Sequence, residues 1–320
     1  MADRDDRGER QIVQVPYFPG CTLKSHARAF EHTARQAAAV LGFELAEMPR
    51  WVCCGTVYSM ATDDLMHQVA PVRNLARVAS AGSSRVITLC SMCYGTLKQS
   101  AALMEREPEK LETINNFLTR DENEPALTSR VRVLHLLELL AEEMGPDRLA
   151  AAVVRPLAGL RVAPYYGCLL VRPDNGAMSG DSHENPTLMS ELLEALGAEP
   201  VENPYATECC GSYHTALNPE IVARRTHQII EGARAQGAEM IALSCPLCDF
   251  NLDRRQAEVL RLYPQFEPLP VLYFTELLAL ALGLDTPGLE GRFCDPRPLL
   301  ARRSLLEPAA RPRRPKEAAA

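Results

Sequence analysis

The sequence predicts an α/β chain of two tandem, pseudo-symmetric units, each a small, mainly parallel sheet flanked by helices. Three observations predict it. Ten of the eleven cysteines fall into an internal repeat in which Cys21, Cys53, Cys54, Cys90 and Cys93 are answered in order by Cys168, Cys209, Cys210, Cys245 and Cys248, and self-similarity at that scale marks a duplicated unit. Short apolar runs end at these cysteines. Between them lie stretches with apolar residues at helical spacing, closed by glycine.

In the first unit, QIVQVPYF is a strand candidate that ends at Gly20-Cys21. AFEHTARQAAAVLG has a helical apolar period and ends on Gly42, suited to a C-cap. LGFELAEMPRWVCCG leads into the first adjacent pair, and SRVITLC is a buried strand ending at a C-x2-C. KLETINNFLTRDENEP reads as a solvated helix and acidic loop with no chemistry. The second unit repeats the order: LRVAPYY to Gly167-Cys168, the helix PTLMSELLEALG, LGAEPVENPYATECCG, and AEMIALSC. VLHLLELLA of the first unit returns as VLYFTELLA. The expected limits are a disordered arm over 1–11, units over 12–145 and 146–290, and a Pro-, Arg- and Ala-rich tail over 291–320 read as disordered.

Composition narrows the function. A hydrophobic fraction of 47%, a charged fraction of 23% and a net charge of −7 describe an ordinary globular protein and disfavour nucleic acid as a partner. The charged start MADRDDRGERQ lacks the apolar core of a signal peptide, and PLPVLYFTELLALALGL, which contains Glu276, falls short of the roughly 20 apolar residues of a membrane helix. A cytoplasmic protein without a transmembrane segment is expected, reaching a membrane only peripherally, through partners. Eleven cysteines in a reducing compartment point to metal ligation or redox chemistry rather than to disulfides.

The spacing is C-x31-CC-x35-C-x2-C in the first unit and C-x40-CC-x34-C-x2-C in the second. C-x2-C pairs are the usual building blocks of zinc sites. Each unit, however, offers five cysteines. Adjacent Cα atoms lie about 3.8 Å apart with diverging side chains, so a CC pair fits one tetrahedral ion poorly. A multi-iron cluster is wider, and the glycine after each pair lets backbone approach it and point N–H groups at its sulfurs. Two iron–sulfur centres are expected, with zinc in one half as a minor alternative. Ligands of open α/β sheets collect beyond the carboxyl ends of strands, where these cysteines fall.

The duplicated pattern with both CCG triplets resembles the B subunit of heterodisulfide reductase and its relatives, the CCG-domain proteins. CPLCDFNLDRRQ and VLYFTELLALALGL are similar to that family's second half, and the resemblance covers about residues 12–290. It implies two tandem CCG domains, each binding a noncubane four-iron four-sulfur cluster through its five cysteines. A small disulfide or thiol substrate would bind between the clusters. The implied activity is that of the catalytic iron–sulfur subunit of a multi-subunit oxidoreductase complex, cleaving a disulfide reductively or running the reverse thiol or sulfur oxidation. Electrons would come from a small iron–sulfur C subunit, fed by a flavin-containing A subunit. Relatives of succinate dehydrogenase or fumarate reductase type imply the alternative, an electron-transfer subunit linking a partner oxidoreductase to a quinone. Family members often carry a histidine after the second Gly-Cys, where this chain has Leu169.

The remaining candidates are weaker. His183 and His214 are the side chains proposed as proton donors, against an ordinary solvated-loop reading for each. Asp174, Asn175, Asp181, His183 and Asn185 lie in the segment that lengthens the second unit's first gap, and residues 174–184 are expected to border the cleft between the clusters. Cys294 stands outside the repeat and is expected not to be a ligand.

Overall fold

Strands β1 (Val13–Phe18), β2 (Phe43–Glu47), β3 (Arg85–Thr88) and β4 (Arg132–His135) form one sheet in the order β2-β1-β3-β4, with every pairing parallel. Strands β5 (Arg161–Tyr165), β6 (Glu199–Pro200), β7 (Met240–Leu243) and β8 (Val271–Tyr273) repeat that order as β6-β5-β7-β8, again all parallel. The computed structural model describes residues 12–56, 64–120, 123–172, 178 and 181–306. In each sheet the chain leaves the central pair in opposite directions, β1 toward β2 and β3 toward β4. Such a switch point opens a crevice at the carboxyl ends of the two central strands. That crevice sits where each Gly-Cys and each C-x2-C falls.

The helices follow from the same local chemistry. In α1 (Arg28–Val40), Phe30, Thr33, Ala34, Ala37 and Ala38 are buried, the i, i+3, i+4, i+7, i+8 stripe of an amphipathic helix. It ends on Gly42 at φ 92°, a left-handed position where glycine carries no steric cost. Then come α2 (Val69–Ser80), α3 (Ser91–Arg106), α4 (Pro108–Arg120), α5 (Leu136–Glu143) and α6 (Gly145–Ala152). The second half has α7 (Gly167–Val171), α8 (Leu188–Ala195), α9 (Pro219–Ala235), α10 (Pro246–Asp249), α11 (Gln256–Leu262), α12 (Phe274–Ala281) and α13 (Arg297–Arg302). Between α10 and α11, residues Phe250–Arg254 form a π-helical turn.

The matched VLHLLELLA and VLYFTELLA segments become a strand running straight into a helix, closed in both halves by a capping box. Glu138 accepts from His135 N at 2.7 Å, and Glu276 accepts from Tyr273 N at 2.9 Å. All of β8 and α12 is buried, so the long apolar stretch ending the second unit is core. Among the described residues no helix is long and apolar enough to cross a membrane.

One contiguous core runs through both halves. Phe30 of α1 stacks on Tyr273 with ring centroids 4.1 Å apart, and the hydroxyls of Thr33 and Thr275 meet at 2.8 Å. On α3, a Cβ at Gly95 would lie 2.7 Å from the Leu169 carbonyl oxygen, so glycine is needed for α3 and α7 to approach. Leu169 is buried in this contact between halves.

The expectation of disorder from residue 291 does not hold for residues 291–306. Arg292 pairs with Asp249 and, at 2.6 Å, with Glu276, its guanidinium lying over the Tyr273 ring at 5.3 Å. Asp253 accepts from Phe293 N and Cys294 N, and Leu299, Leu300 and Leu305 are buried. The arginine-rich composition suggested solvent, yet Arg292 neutralises the buried Glu276 of α12 and the half-buried Asp249 of α10. The arm over 1–11 and residues 307–320 lie outside the described residues.

Candidate functional site

Each Gly-Cys follows a central strand. Strand β1 ends at Phe18, and Gly20, at φ +73°, turns the chain so tightly that a Cβ there would sit 2.7 Å from Cys93 Sγ. Its counterpart Gly167, at φ +66°, would place a Cβ 3.4 Å from Cys248 Sγ. The glycines therefore let the backbone after one central strand lie against the second cysteine of the C-x2-C after the other. Cys90 and Cys245 occupy the N-cap positions of α3 and α10, which puts Cys93 and Cys248 in the first helical turn. Helix N-termini favour thiolate over thiol.

The ten repeated cysteines form one unbroken series of sulfur contacts. Cys21 meets Cys53 at 4.0 Å, Cys53 meets Cys54, and Cys54 meets Cys93, which meets Cys90. In the second half Cys168 meets Cys209, then come Cys210, Cys248 and Cys245. Cys90 and Cys245 join the two series across the boundary between halves, beside a 2.7 Å contact of the Ser91 and Ser244 hydroxyls. The inner cysteines Cys54, Cys90, Cys93, Cys210, Cys245 and Cys248 are buried, whereas Cys21 and Cys53 are exposed and Cys168 and Cys209 are half-buried.

Neighbouring thiols in the series push one another's titration in opposite directions. Hydrogen bonds from Cys53 and Cys93 bring Cys54 down to about 4, and those from Cys245 and Cys93 hold Cys90 well below the usual thiol range. Hydrogen bonds from Cys168 and Cys210 bring Cys209 down to about 2. The donors Cys53, Cys93 and Cys168 are pushed up in return, with burial adding to the rise. Thiolates in an apolar interior call for a cation, and a metal centre displaces the thiol protons.

The CCG glycines turn their N–H groups toward the first cysteine of each pair. Gly211, at φ 87°, donates its N–H to Cys209 Sγ at 3.3 Å, and the Gly55 N–H serves Cys53 in the same way. Among the described residues, no group of three or more His, Cys, Asp or Glu is arranged to hold a metal ion. The sulfurs are strung out, not gathered about one point. A mononuclear zinc ion needs four converging ligands, whereas a four-iron cluster asks about one protein thiolate of each iron and takes the rest from inorganic sulfide. The donor set fits the cluster better than the ion.

Other polar groups reach the cysteines that sequence reasoning passed over. The buried Asn251 donates from Nδ2 to Cys210 Sγ at 3.4 Å. Thr96 stands in the matching place three residues after its own C-x2-C, with its hydroxyl donating to the Met92 carbonyl at 2.8 Å. Their signal was this shared offset. Tyr17, one residue before the end of β1, buries its hydroxyl without a hydrogen-bond partner among the described residues, and Tyr165, which matches Phe18 at the strand end, donates to the Glu208 carbonyl at 2.6 Å. Tyr213, 47% exposed, lies within electrostatic reach of Cys168 and Cys209.

Neither His183 nor His214 contacts a sulfur among the described residues. His214 is exposed in the turn Ser212–His214, and His183 is exposed just before α8. Asp181 spends its carboxylate on the backbone N–H groups of Ser182, Thr187 and Leu188 at the start of α8. Asp174 and Asn175 fall outside the described residues, and Asn185 donates its N–H to Ser182 Oγ. Cys294 has Asp253, Asp295 and Arg234 as its charged neighbours and no cysteine; burial lifts its thiol to about 11.

Known proteins share this layout. The profile of the cysteine-rich CCG domain matches residues 15–98 and again 162–253. The chain is 34% identical over 277 residues to the 8-methylmenaquinol:fumarate reductase membrane anchor subunit of Wolinella succinogenes, covering 86% of this chain and 94% of that one. It is 29% identical over 288 residues to the B subunit of the ferredoxin/F(420)H(2)-dependent CoB-CoM heterodisulfide reductase of Methanosarcina acetivorans, covering 87% and 93%. A protein of Archaeoglobus profundus described as like the heterodisulfide reductase B subunit is 28% identical, with coverages of 92% and 99%. Among solved structures, a hypothetical protein from Helicobacter pylori superposes with a TM-score of 0.69 at 12% identity, over 88% of this chain and 51% of that one, and shares the fold. The chain belongs to the family of duplicated CCG cysteine-rich domain proteins, to which the B subunits of heterodisulfide reductases also belong.

Proposed function

We propose that this chain is the iron–sulfur subunit of a multi-subunit reductase and holds one four-iron four-sulfur cluster, of noncubane type, in each half. Cys21, Cys53, Cys54, Cys90 and Cys93 would hold the first, and Cys168, Cys209, Cys210, Cys245 and Cys248 the second. The observation that carries this reading is the unbroken series of ten sulfurs across the boundary between halves. When bound, such clusters supply one-electron transfers, two of which, with two protons, reduce a disulfide to two thiols. The chain's own groups set the surroundings: the Gly55 and Gly211 N–H groups and Asn251 bind sulfur, and the buried inner cysteines exclude water. Exposed Cys21 and Cys53 and half-buried Cys168 and Cys209 mark the faces open to substrate or partner. The sequence holds no glycine fingerprint for a flavin or nicotinamide, so electrons come from partners, an iron–sulfur C-type and a flavin-containing A-type subunit.

A second reading rests on the 34% identity to a fumarate reductase subunit. It makes the chain an electron-transfer subunit that links a partner oxidoreductase to a quinone, held peripherally at the membrane. Iron and acid-labile sulfide assays on anaerobically purified protein test what both readings share, and both are expected in matching amounts. Zinc in place of iron overturns both. Reduction of a disulfide by the reconstituted complex supports the first reading; reduction of quinone analogues without any disulfide activity replaces it with the second.

A further inference from the structure

The helix after the C-x2-C differs between halves. In the first half α3 is regular from Ser91 to Arg106, whereas in the second α10 gives way after Asp249 to the π-helical turn Phe250–Arg254. Single π turns inside helices are frequent at functional sites. The residue this turn carries inward is Asn251, which is fully buried.

Three elements fix Asn251. Its Oδ1 accepts from Thr215 Oγ1 at 2.8 Å and its backbone carbonyl accepts from Thr226 Oγ1 of α9 at 3.0 Å. Its Nδ2 then faces Cys210, 3.3 Å from the carbonyl oxygen and 3.4 Å from Sγ. The opposite amide orientation would set Oδ1 against both of these acceptors. The side-chain amide carries two protons, so both Cys210 contacts are satisfied at once. Thr96 has one hydroxyl proton, and its hydrogen-bond partners are the Met92 carbonyl at 2.8 Å and Thr56 Oγ1 at 3.2 Å. The second half therefore commits an amide proton to sulfur at the position where the first half spends its proton on other oxygens.

We propose that Asn251 is a positioning residue that raises the reduction potential of the second-half cluster by donating a fixed hydrogen bond to Cys210 Sγ. The inference rests on the cluster reading above. Reduction adds negative charge, and a hydrogen-bond donor at a ligand sulfur stabilises the reduced form. Replacing the donor shifts the balance toward the oxidised form.

The test is a potentiometric titration, followed by electron paramagnetic resonance, of iron-loaded chains in which one half alone is competent. In the Cys53→Ser/Cys54→Ser background, Asn251→Asp, which keeps the acceptor and removes the donor, is expected to lower the midpoint potential. The reduced fraction at fixed potential should fall at least about fivefold, the scale of one net hydrogen bond. Thr215→Val, which frees the amide to turn, should shift it the same way by less. In the Cys209→Ser/Cys210→Ser background both substitutions should be silent. Iron-loaded variants with the parental potential overturn this inference alone, as does iron loss from Asn251→Asp with a parental potential in Thr215→Val. Wild-type protein that holds no iron overturns the cluster reading and this inference together.

Discussion

The two halves hold the same five cysteines on the same four-stranded order, yet surround them differently. The first leaves Cys21 and Cys53 exposed and spends the Thr96 hydroxyl on the Met92 carbonyl. The second half-covers Cys168 and Cys209, ties Tyr165, which stands where the first half has Phe18, to the Glu208 carbonyl, and gives Cys210 a dedicated amide. Duplication has kept what positions sulfur and let go what sets its surroundings. Two sites of one geometry thereby become inequivalent, as a pair acting on one substrate or along one electron path can exploit.

The comparison breaks most completely at the cysteines. Cys53→Ser/Cys54→Ser should remove roughly half the bound iron, and Cys209→Ser/Cys210→Ser the other half, since each half carries its own ligand set. Iron analysis checks this, and equal loading of the variants and the parent would refute separate sites. Cys294→Ser serves as the control and should leave iron unchanged.

Next is the neutralisation of the paired capping glutamates. Glu276 is bridged by buried Arg292 at 2.6 Å, whereas Glu138 has Lys98 at 3.9 Å. Arg292→Met leaves the half-buried Asp249 and the buried Glu276 without their cation and should cost about 3–5 kcal/mol. Lys98→Met should cost less, both read as shifts in denaturant midpoint.

The third difference is one of pH. The N-cap of α5 is His135 and that of α12 is Tyr273. His135 Nδ1 accepts from Leu137 N while Nε2 faces the Leu89 carbonyl at 2.7 Å; Tyr94, Phe274 and Glu138 close around the ring, and burial pushes its pKa down to about 4. The unfolded chain, with a histidine pKa of about 6.5, binds the proton more readily between those values. The neutral ring therefore stabilises the fold fully above about pH 6.5, and that contribution is lost as pH falls toward 4. His135→Tyr, which copies the second half, should remove about 2–3 kcal/mol of the difference in stability between pH 7.5 and pH 4.5. Unchanged pH dependence in the variant would count against a neutral buried His135.

The smallest contrast lies in the turn glycines. Alanine at Gly167 meets only the left-handed backbone cost of about 1–2 kcal/mol, because its Cβ clears Cys248 Sγ at 3.4 Å. Alanine at Gly20 adds a collision at 2.7 Å with Cys93 Sγ. Gly20→Ala should therefore lower thermal stability more than Gly167→Ala and also lower first-half iron. Equal losses would mean that the turn relaxes away from the sulfur.

Much of this was legible in the sequence, because strands covered on both faces read as unbroken apolar runs and a repeat in ten cysteines is hard to miss. Strand ends, glycine caps and the convergence of Gly-Cys with C-x2-C follow from those runs. Strand β6, only Glu199–Pro200, left no run to find. Arg292 looked like a solvated tail residue because its partners Asp249 and Glu276 lie 43 and 16 positions earlier. Asn251 gave no periodic signal, since a π turn breaks the helical spacing by which inward residues are recognised. The closeness of Cys90 to Cys245 is a property of packing between halves, which no local pattern encodes.

That closeness has a geometric meaning. Cys90 and Cys245 are each other's counterparts in the repeat, and residues that touch their own counterparts lie on a twofold axis. The contact of α1 with α12 has its mate in that of α8 with α5, where Leu188 and Leu192 face Leu137 and Leu140. The chain is thus built as an isologous dimer whose two subunits have been joined by a linker. A single-unit ancestor with this packing would have brought its two sulfur sets together only by pairing with itself, and fusion freed each copy to diverge around a shared axis.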